Sequence, residues 1–367
     1  MKTSLSVMSP RERILAALRG QEVDRLPWCP FLAYWWEAQP AEFQQRGQLA
    51  FLREIGADAL LRGFVTPYKV LESPTVEVRS EKKNGRTYTE TITPVGTLRA
   101  AWQYSPAGNT EFIIEHPVKC AEDFKIVRYT VEQMRLQPDD EPVKQWIADI
   151  GEDGLLAALI PPFGKTPFQS LVEHYVGTQQ LAYFLADCPQ EVEACLEVMN
   201  EKSLEAVRLA VESPAEAFIT WEDSSTTNVS PAQFRRYIAA ELNRWGEVVH
   251  DAGKLLLHHA CGHVRHLLPI MAQETVDVIE SLSPPPTGNV EIWEAQEVLG
   301  ERVGVVGGIE PTQFLNLELD ALSDYVEELL SRANPRHYIL ANSDSCPPGV
   351  SIEKFRRVTD IVRSHLV

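Results

Sequence analysis

Short apolar runs recur along the whole chain, and most are followed by a stretch with helical periodicity. The runs are Leu26–Leu32, Ala57–Leu61, Leu155–Ile160, Ala217–Trp221, Lys254–His259, Val276–Ser281, Val303–Gly307 and Tyr338–Asn342. Buried strands that alternate with helices are typical of a parallel sheet, and eight repeats predict a closed (β/α)8 TIM barrel. A doubly wound open sheet would need a glycine-rich phosphate loop after an early strand, and the sequence has none. We therefore predict a single α/β barrel domain over residues 1–367.

Residues 67–130 depart from this alternation. Thr75–Ser80 and Thr87–Thr93 have strand character and flank Asn84-Gly85, a dipeptide typical of tight β-hairpins. Gly96–Tyr104 and Glu111–Glu115 are two further candidate strands. We predict a β-hairpin insertion after the second barrel strand, which either overhangs the mouth of the barrel or forms a decorative edge sheet.

The net charge of −18 argues against non-specific binding to nucleic acid or to anionic membranes. The 367 residues include no apolar run of about 18 residues, the length that a membrane span requires. Met1–Arg13 lacks the apolar segment of a signal peptide, so a cytoplasmic location is expected. In a reducing compartment the six cysteines are expected to be free thiols or metal ligands.

The segment Leu255–His263 is the most informative for chemistry. His259 and Cys261 are two residues apart, and on an extended strand such residues share one face, whereas His258 should face the helix layer. Imidazole and thiolate together suit a borderline-soft divalent ion such as zinc. Both residues stand where an apolar strand ends, which in a parallel barrel is the active face. On its own, a His-x-Cys pair is more often a core histidine beside a buried cysteine than a metal site.

A second cysteine strengthens the prediction of a metal site. Cys346 follows the last predicted strand, so barrel closure would bring it to the same rim as Cys261. Glu280 ends the intervening strand and is expected to be a fourth ligand that substrate can displace. The sequence therefore predicts a zinc ion held by His259, Cys261, Glu280 and Cys346.

Other polar residues at the predicted strand ends are candidates for catalysis. Glu222 and Asp223 end the fourth strand and are expected either to transfer protons and orient substrate, or to form a solvated acidic loop that caps the next helix. Asn342 and Asp344 precede Cys346 and are expected to hold it in position without binding the metal themselves.

Four segments resemble the uroporphyrinogen decarboxylase superfamily, and the resemblance spans nearly the whole chain. They are Ser9–Leu18, Asp24–Pro27, Val305–Ile309 and Ser345–Ser351. The decarboxylases of this superfamily carry an arginine-rich Arg-Gln-Ala-Gly-Arg stretch after an early Pro-x-Trp motif. Here Pro27-Trp28 is followed by residues 29–36 without any arginine, so the guanidinium clamp for a polycarboxylate tetrapyrrole is missing.

The other branch of the superfamily is similar at the cysteines. It contains zinc methyltransferases that work with corrinoid proteins, such as the methylcobamide:coenzyme M enzymes, and their mark is His-x-Cys followed much later by Cys. His259, Cys261 and Cys346 match that pattern, and Glu280 stands where cobalamin-independent methionine synthase has a glutamate. The resemblance implies Zn²⁺ and methyl transfer between a corrinoid protein and a small thiol, ether or amine, in either direction, with a possible homo-oligomer.

Two other functions stay open at this point. One is a zinc-free decarboxylase or lyase that uses Glu222 and Asp223, and the other is a non-catalytic binding or scaffold protein.

Overall fold

The computed structural model describes residues 7–106 and 110–365. In this part of the chain the strands, labelled β1 to β13 in chain order, are Ala59–Arg62, Tyr68–Leu71, Glu77–Lys83, Arg86–Thr93, Gly96–Ser105, Thr110–Glu115, Arg135–Pro138, Gly154–Leu159, Ala217–Glu222, Leu255–Ala260, Val278–Leu282, Gly304–Ile309 and Tyr338–Asn342.

The α-helices of the same residues, labelled α1 to α16 in chain order, are Pro10–Leu18, Ala33–Glu37, Ala41–Gln44, Gln48–Ile55, Phe124–Glu132, Glu141–Ile150, Pro167–Ser170, Thr178–Asp187, Pro189–Val211, Pro231–Gln233, Ala240–Asp251, Leu268–Met271, Ile292–Leu299, Pro311–Asn316, Leu319–Arg332 and Ile352–Ser364. Short 3₁₀ turns lie at Ala121–Asp123 and Gly151–Asp153, and π-helical segments lie at Leu171–Tyr175 and Phe234–Ala239. None of the described helices is long and apolar enough to cross a membrane.

Seven strands form one parallel, curled sheet in the order β1-β8-β9-β10-β11-β12-β13. Each corresponds to one of the predicted apolar runs, so the α/β class and seven of the eight predicted strands are confirmed. Helices connect successive strands, as parallel pairing requires, because the chain must return to the same end of the sheet before each new strand.

The first predicted strand, Leu26–Leu32, differs from the prediction. It is reduced to one parallel bridge between Trp28 and Leu340 of β13. The Cys29 amide donates to the Leu340 carbonyl at 2.9 Å, and the Asp58 amide donates to the Trp28 carbonyl at 2.8 Å. Residues 27–29 therefore lie between the two edges of the sheet without forming a regular strand.

Alternation along the strands separates two apolar clusters. Ala217 and Ile219 of β9 belong to an inner cluster inside the curled sheet, whereas Phe218 belongs to an outer cluster between the sheet and the helices. Leu257 and Leu256 of β10 divide in the same way. The inner cluster also contains the apolar side chains of α1. In β9 and β10 the inward positions are apolar as far as Ile219 and Leu257, and polar inward side chains follow at the carboxyl ends of these strands.

Residues between β1 and β8 form two small sheets. β3, β4, β5 and β6 make a four-stranded antiparallel sheet, in which Asn84-Gly85 connects β3 to β4. Asn84 and Gly85 both have positive φ, of 54° and 72°, as the tight turn requires. β2 pairs with β7 in a separate antiparallel ribbon that the sequence did not predict.

A buried ionic network fixes the segment that joins the sheet edges. Asp58 is 1% exposed, and its carboxylate accepts from Arg13 at 2.7 Å, from Arg25 at 2.8 Å and from the Trp28 amide at 3.3 Å. Two guanidinium groups therefore share one buried carboxylate, which also holds residue 28 beside β1, and Arg13 has Asp24 as a second partner at 2.6 Å.

We predict that Asp58→Asn destabilises the protein by about 3 kcal/mol or more, because it leaves Arg25 without its buried counter-charge and Arg13 with Asp24 alone. Urea unfolding of the variant and the wild type measures this difference. The control is Asp153→Asn, since Asp153 pairs with Arg53 on the surface, and its loss is expected to cost less than about 1 kcal/mol. Equal effects of the two substitutions would contradict the structural role given to Asp58.

Candidate metal centre

The strand register aligns the side chains at the carboxyl ends of β9 and β10. His259 lies opposite Trp221 in the register, and the two rings touch edge to face with centroids 4.9 Å apart on the inner side of the sheet. The next inward positions, Asp223 and Cys261, stand side by side just beyond the strands. The Cys261 thiol donates to Asp223 Oδ1 at 3.0 Å.

Three side chains offer ligand atoms close enough for one ion. One ligand atom from each of Asp223, His259 and Cys261 lies within 4.8 Å of the other two. Zinc–ligand bonds of about 2.0–2.3 Å place ligand atoms roughly 3–4 Å apart, so modest side-chain movement brings this group into range. A carboxylate, an imidazole and a thiolate are all ligands that zinc accepts.

The orientation of His259 is set by a carboxylate. Its Nδ1 lies 2.5 Å from Glu280 Oε2, and because the carboxylate accepts, Nδ1 carries the proton. In the neutral ring Nε2 is then left as an acceptor, which is the state of a metal-binding histidine whose other nitrogen is oriented by a carboxylate. Burial lowers the pKa of His259, but the Glu280 charge and hydrogen bond outweigh burial and raise it.

Glu280 is in turn paired with Arg62. Arg62 Nη1 forms an ion pair with Glu280 Oε1, and Nη2 donates to the Cys29 carbonyl at 2.9 Å. β1 and β11 are not neighbours in the sheet order, so this contact crosses the interior of the curled sheet. Burial opposes ionisation of Glu280, yet the Arg62 and His259 charges prevail and lower its pKa. The carboxylate is therefore ionised in a fully buried position.

The Cys261 thiol is held in its protonated form. Burial, then the negative charges of Asp344 and Asp223, raise the pKa of Cys261 well above the usual value for cysteine. A divalent cation beside the sulfur would reverse this balance, since it stabilises the thiolate directly. The donor set and its surplus of negative charge thus fit a bound divalent metal ion.

Two predicted zinc ligands lie outside the three-residue group. Glu280 uses its oxygens for Arg62 and His259 instead. Cys346 is fully buried after β13, where its sulfur lies 3.9 Å from the Pro347 carbonyl, and burial raises the pKa of its thiol well above the usual value. The ligand role of Cys346 stays a prediction.

Glu222 and Asp223 are directed to opposite sides by strand alternation. Asp223 faces the metal-ligand group, whereas Glu222 faces outward and is fully buried. Glu222 accepts from the amide and, at 2.9 Å, from the hydroxyl of Thr166, the N-cap residue of α7, and from Thr220 Oγ1 at 3.0 Å. These contacts fix the start of α7, and a catalytic role for Glu222 stays a prediction.

Asn342 clamps two loops at the end of β13. Its Oδ1 accepts from the Phe31 amide at 2.9 Å, and its Nδ2 donates to the carbonyls of Phe31 and Asp344, also at 2.9 Å. Because all of these partners are backbone groups, Asn342 sets the position of Asp344 rather than offering a free functional group.

The loops that carry Asp223 and Cys261 are joined behind the site. His258 faces the helix layer, as alternation predicts, where it donates to Glu274 at 2.7 Å and accepts from Ser224 Oγ at 3.0 Å. All three side chains are buried. This chain of hydrogen bonds ties the residue after Asp223 to β10, which ends one residue before Cys261, and so fixes the separation of Asp223 and Cys261.

Two cations at the site were missed by the sequence reasoning. Lys165 forms an ion pair with Glu173 and lies 3.8 Å from Asp223 Oδ2. Burial and the Asp223 charge raise the pKa of Glu173 to about 7. The other cation is Arg62. Its place just after a predicted strand was a usable signal, because Leu60 already belongs to the inner cluster and residue 62 shares its face.

The curled parallel sheet, with its candidate metal ligands at the carboxyl ends of the strands, defines a barrel-like α/β protein of the kind whose active sites lie at that edge. The family model of uroporphyrinogen decarboxylase (URO-D) matches residues 163–365, which is more than half of the chain. The chain belongs to this family.

Solved structures with related folds include two methyl-transferring enzymes. A methyltransferase from Methanosarcina mazei is similar over 97% of this chain and 98% of its own, with a TM-score of 0.66 and 17% identity. A B12-independent methionine synthase from Shewanella sp. W3-18-1 matches over 92% and 97%, with a TM-score of 0.47 and 13% identity. At these identities the likeness concerns the fold, and the second match is too distant to support an argument. A search of curated proteins gave no match.

We predict that Asp223→Asn raises the rate at which iodoacetamide alkylates Cys261 in metal-free protein at pH 8 by roughly 3- to 10-fold. Loss of the Asp223 charge lowers the raised pKa of Cys261, and each pKa unit corresponds to about tenfold in thiolate while the thiol is mostly protonated. Peptide mass spectrometry measures the rate, with the exposed Cys120 as an internal control whose rate stays constant. An unchanged or slower reaction at Cys261 would contradict the electrostatic description.

Proposed function

We propose that this protein is a zinc-dependent methyltransferase that moves a methyl group between a corrinoid protein and a small thiol, ether or amine. The observation that carries the proposal is the convergence of Asp223, His259 and Cys261 at the carboxyl ends of β9 and β10. Within the URO-D family, the missing arginine stretch after Trp28 favours the methyltransferase branch over tetrapyrrole decarboxylation.

The proposal includes the chain organisation on which the site depends. Residues 27–29 occupy the position of the missing barrel strand and complete a (β/α)8 barrel in a single domain of residues 1–367. Residues 67–130 are an insertion after the second strand of this barrel. A cytoplasmic location agrees with six free thiols, and a homo-oligomer belongs to the proposal as well.

We assign the zinc ligands as His259 Nε2, Cys261 and Cys346. Cys346 requires the segment that follows β13 to move toward Cys261 when metal binds. We give the exchangeable fourth position to Asp223 rather than to Glu280, since Glu280 already orients His259 and balances Arg62.

Each residue of the site has a distinct task in this proposal. Zinc, when bound, would keep a substrate sulfur as thiolate or polarise the oxygen or nitrogen that bears the methyl group. His259 is held with Nε2 available because Glu280 accepts from Nδ1. Asp223 lies between Cys261 and Lys165, so Lys165 would still stabilise the Asp223 carboxylate once metal binding has removed the proton of Cys261.

The zinc-free alternative has less support. A decarboxylase or lyase that relies on Glu222 and Asp223 needs both carboxylates to face the substrate. Both oxygens of Glu222 accept hydrogen bonds from Thr166, one from its amide and one from its hydroxyl, on the opposite side of β9 from Asp223.

We expect purified wild-type protein from zinc-replete medium to contain about one zinc per chain, because ligand atoms of Asp223, His259 and Cys261 lie within 4.8 Å of one another. Cys261→Ser and His259→Gln should lose most of this metal, and Cys346→Ser should lose part or most of it. Elemental analysis of dialysed protein provides the measurement. Cys195→Ser is the matched control, since Cys195 is a buried free thiol in the outer cluster and should keep full zinc content. A wild type without metal would sink the proposal.

The methyl-transfer half of the proposal has its own test. Zinc-loaded protein should demethylate free methylcobalamin only when a thiol acceptor is added, as followed by the visible spectrum of the cobalamin, and Cys261→Ser should abolish the thiol-dependent rate. A rate that is independent of any acceptor, or that survives this substitution, would count against transfer at this site.

A further inference from the structure

We propose that the small-molecule substrate of this site is selected by charge: a cationic group beside the reacting atom is preferred to an uncharged one, and an anionic group is rejected. The inference rests on the proposed function, because it takes the metal centre as the place where the substrate reacts. It follows from the charges that surround Cys261.

Negative groups surround the thiol. The Asp223 carboxylate accepts from the Cys261 thiol at 3.0 Å, and the charges of Asp344 and Glu280 also act on Cys261. Lys165 pairs with Glu173 and lies 3.8 Å from Asp223, so Glu173 belongs to the same group. Asp223, Cys261 and Asp344 are each partly exposed, so an incoming molecule meets this part of the site directly.

The positive groups of the site are already engaged. Arg62 is paired with Glu280, and Lys165 is paired with Glu173 and lies 3.8 Å from Asp223. Among the described residues, no other lysine or arginine forms an ion pair with Glu173, Asp223, Glu280 or Asp344. Asp223, Glu280 and Asp344 therefore face two cations, together with Glu173, whose pKa of about 7 leaves it partly charged at neutral pH. His259 is neutral when it binds the ion. With Cys261 and Cys346 both bound as thiolates, a divalent ion adds no net charge, so the site stays negative.

Neither cation can readily turn to an anionic substrate. The Arg62 guanidinium is 1% exposed, and the ring of Phe31 covers it with its centroid 4.7 Å from the guanidinium carbon. Its unpartnered Nε is enclosed with it. If Lys165 moved toward a substrate carboxylate or sulfonate, Glu173, whose side chain is 21% exposed, would lose its counter-charge, and Asp223 would lose the nearby cation. Rearrangement therefore costs more than a new ion pair returns.

The aromatic wall of the site acts in the same direction. Phe31 and Trp221 are stacked with ring centroids 5.5 Å apart, and Trp221 remains partly exposed beside His259. Aromatic faces carry negative electrostatic potential, so they attract ammonium groups and repel carboxylates.

The test uses three small thiols as probes that differ in the charge of the tail: cysteamine, 2-mercaptoethanol and 3-mercaptopropionate. Binding to cobalt(II)-substituted protein is followed by the sulfur-to-cobalt absorption band, which reports binding without turnover. The tightness of binding should follow that order, with at least about tenfold between the two charged thiols at low salt and a smaller ratio at high salt.

Asp344→Asn provides the decisive comparison. Asp344 has a φ of +66°, a conformation that asparagine also tolerates, so the variant removes one charge with little change of shape. The ratio of cysteamine to 3-mercaptopropionate affinity should fall by about 3- to 10-fold, and a ratio between two proteins cancels the different intrinsic pKa values of the thiols. The control Asp251→Asn, at the far end of α11, should leave the ratio unchanged.

The outcomes separate this inference from the proposed function. An unchanged ratio in Asp344→Asn, or 3-mercaptopropionate binding most tightly to the wild type, overturns the charge selection alone. Failure of the wild type to bind cobalt(II) or any of the thiols overturns the proposed function, and the charge selection with it.

Discussion

The site depends on a buried chain of three charged or polar side chains, Arg62, Glu280 and His259, that runs through the interior of the curled sheet. Burying a carboxylate is costly unless it is paired and hydrogen-bonded, and here both of its oxygens are satisfied. The chain joins β1 to β11 and leaves His259 with one free nitrogen facing the mouth. Removal of Arg62 or Glu280 would leave a buried charge without its ionic partner, so the stability of the sheet and the orientation of His259 depend on the same pair.

The surroundings of this chain fix the distances that a metal ion would require. The register of β9 and β10 sets Asp223 beside Cys261, and the hydrogen bonds from Glu274 through His258 to Ser224 hold the two loops together from the helix side. Asn342 holds the segment that carries Asp344, because its Nδ2 donates to the Asp344 carbonyl. Most polar groups near the site are thus occupied in holding the backbone, whereas Asp223, Cys261 and His259 Nε2 stay available.

The recurrence of apolar runs along the sequence was enough to predict seven strands. It also predicted that His259 and Cys261 lie at the carboxyl end of the sheet. The prediction of a strand over Leu26–Leu32 was wrong. Pro27 and Pro30 lack amide donors, so this run forms a single bridge instead of a ladder of hydrogen bonds. Alternation along β9 also places Glu222 and Asp223 on opposite faces, so their separation could be predicted from the sequence. The Arg62–Glu280 pair joins residues distant in sequence and in strand order, so only the curvature of the sheet brings them together. The place of Cys346 depends on a loop, whose course no periodic pattern specifies.

A crystal structure of zinc-loaded protein with anomalous data at the zinc edge tests the central claim most directly. The account predicts an ion bound by His259 Nε2 and Cys261 Sγ, with Glu280 still accepting from His259 Nδ1 and still paired with Arg62. An ion bound elsewhere, or an ion that draws Glu280 away from His259 to become a ligand, would contradict it.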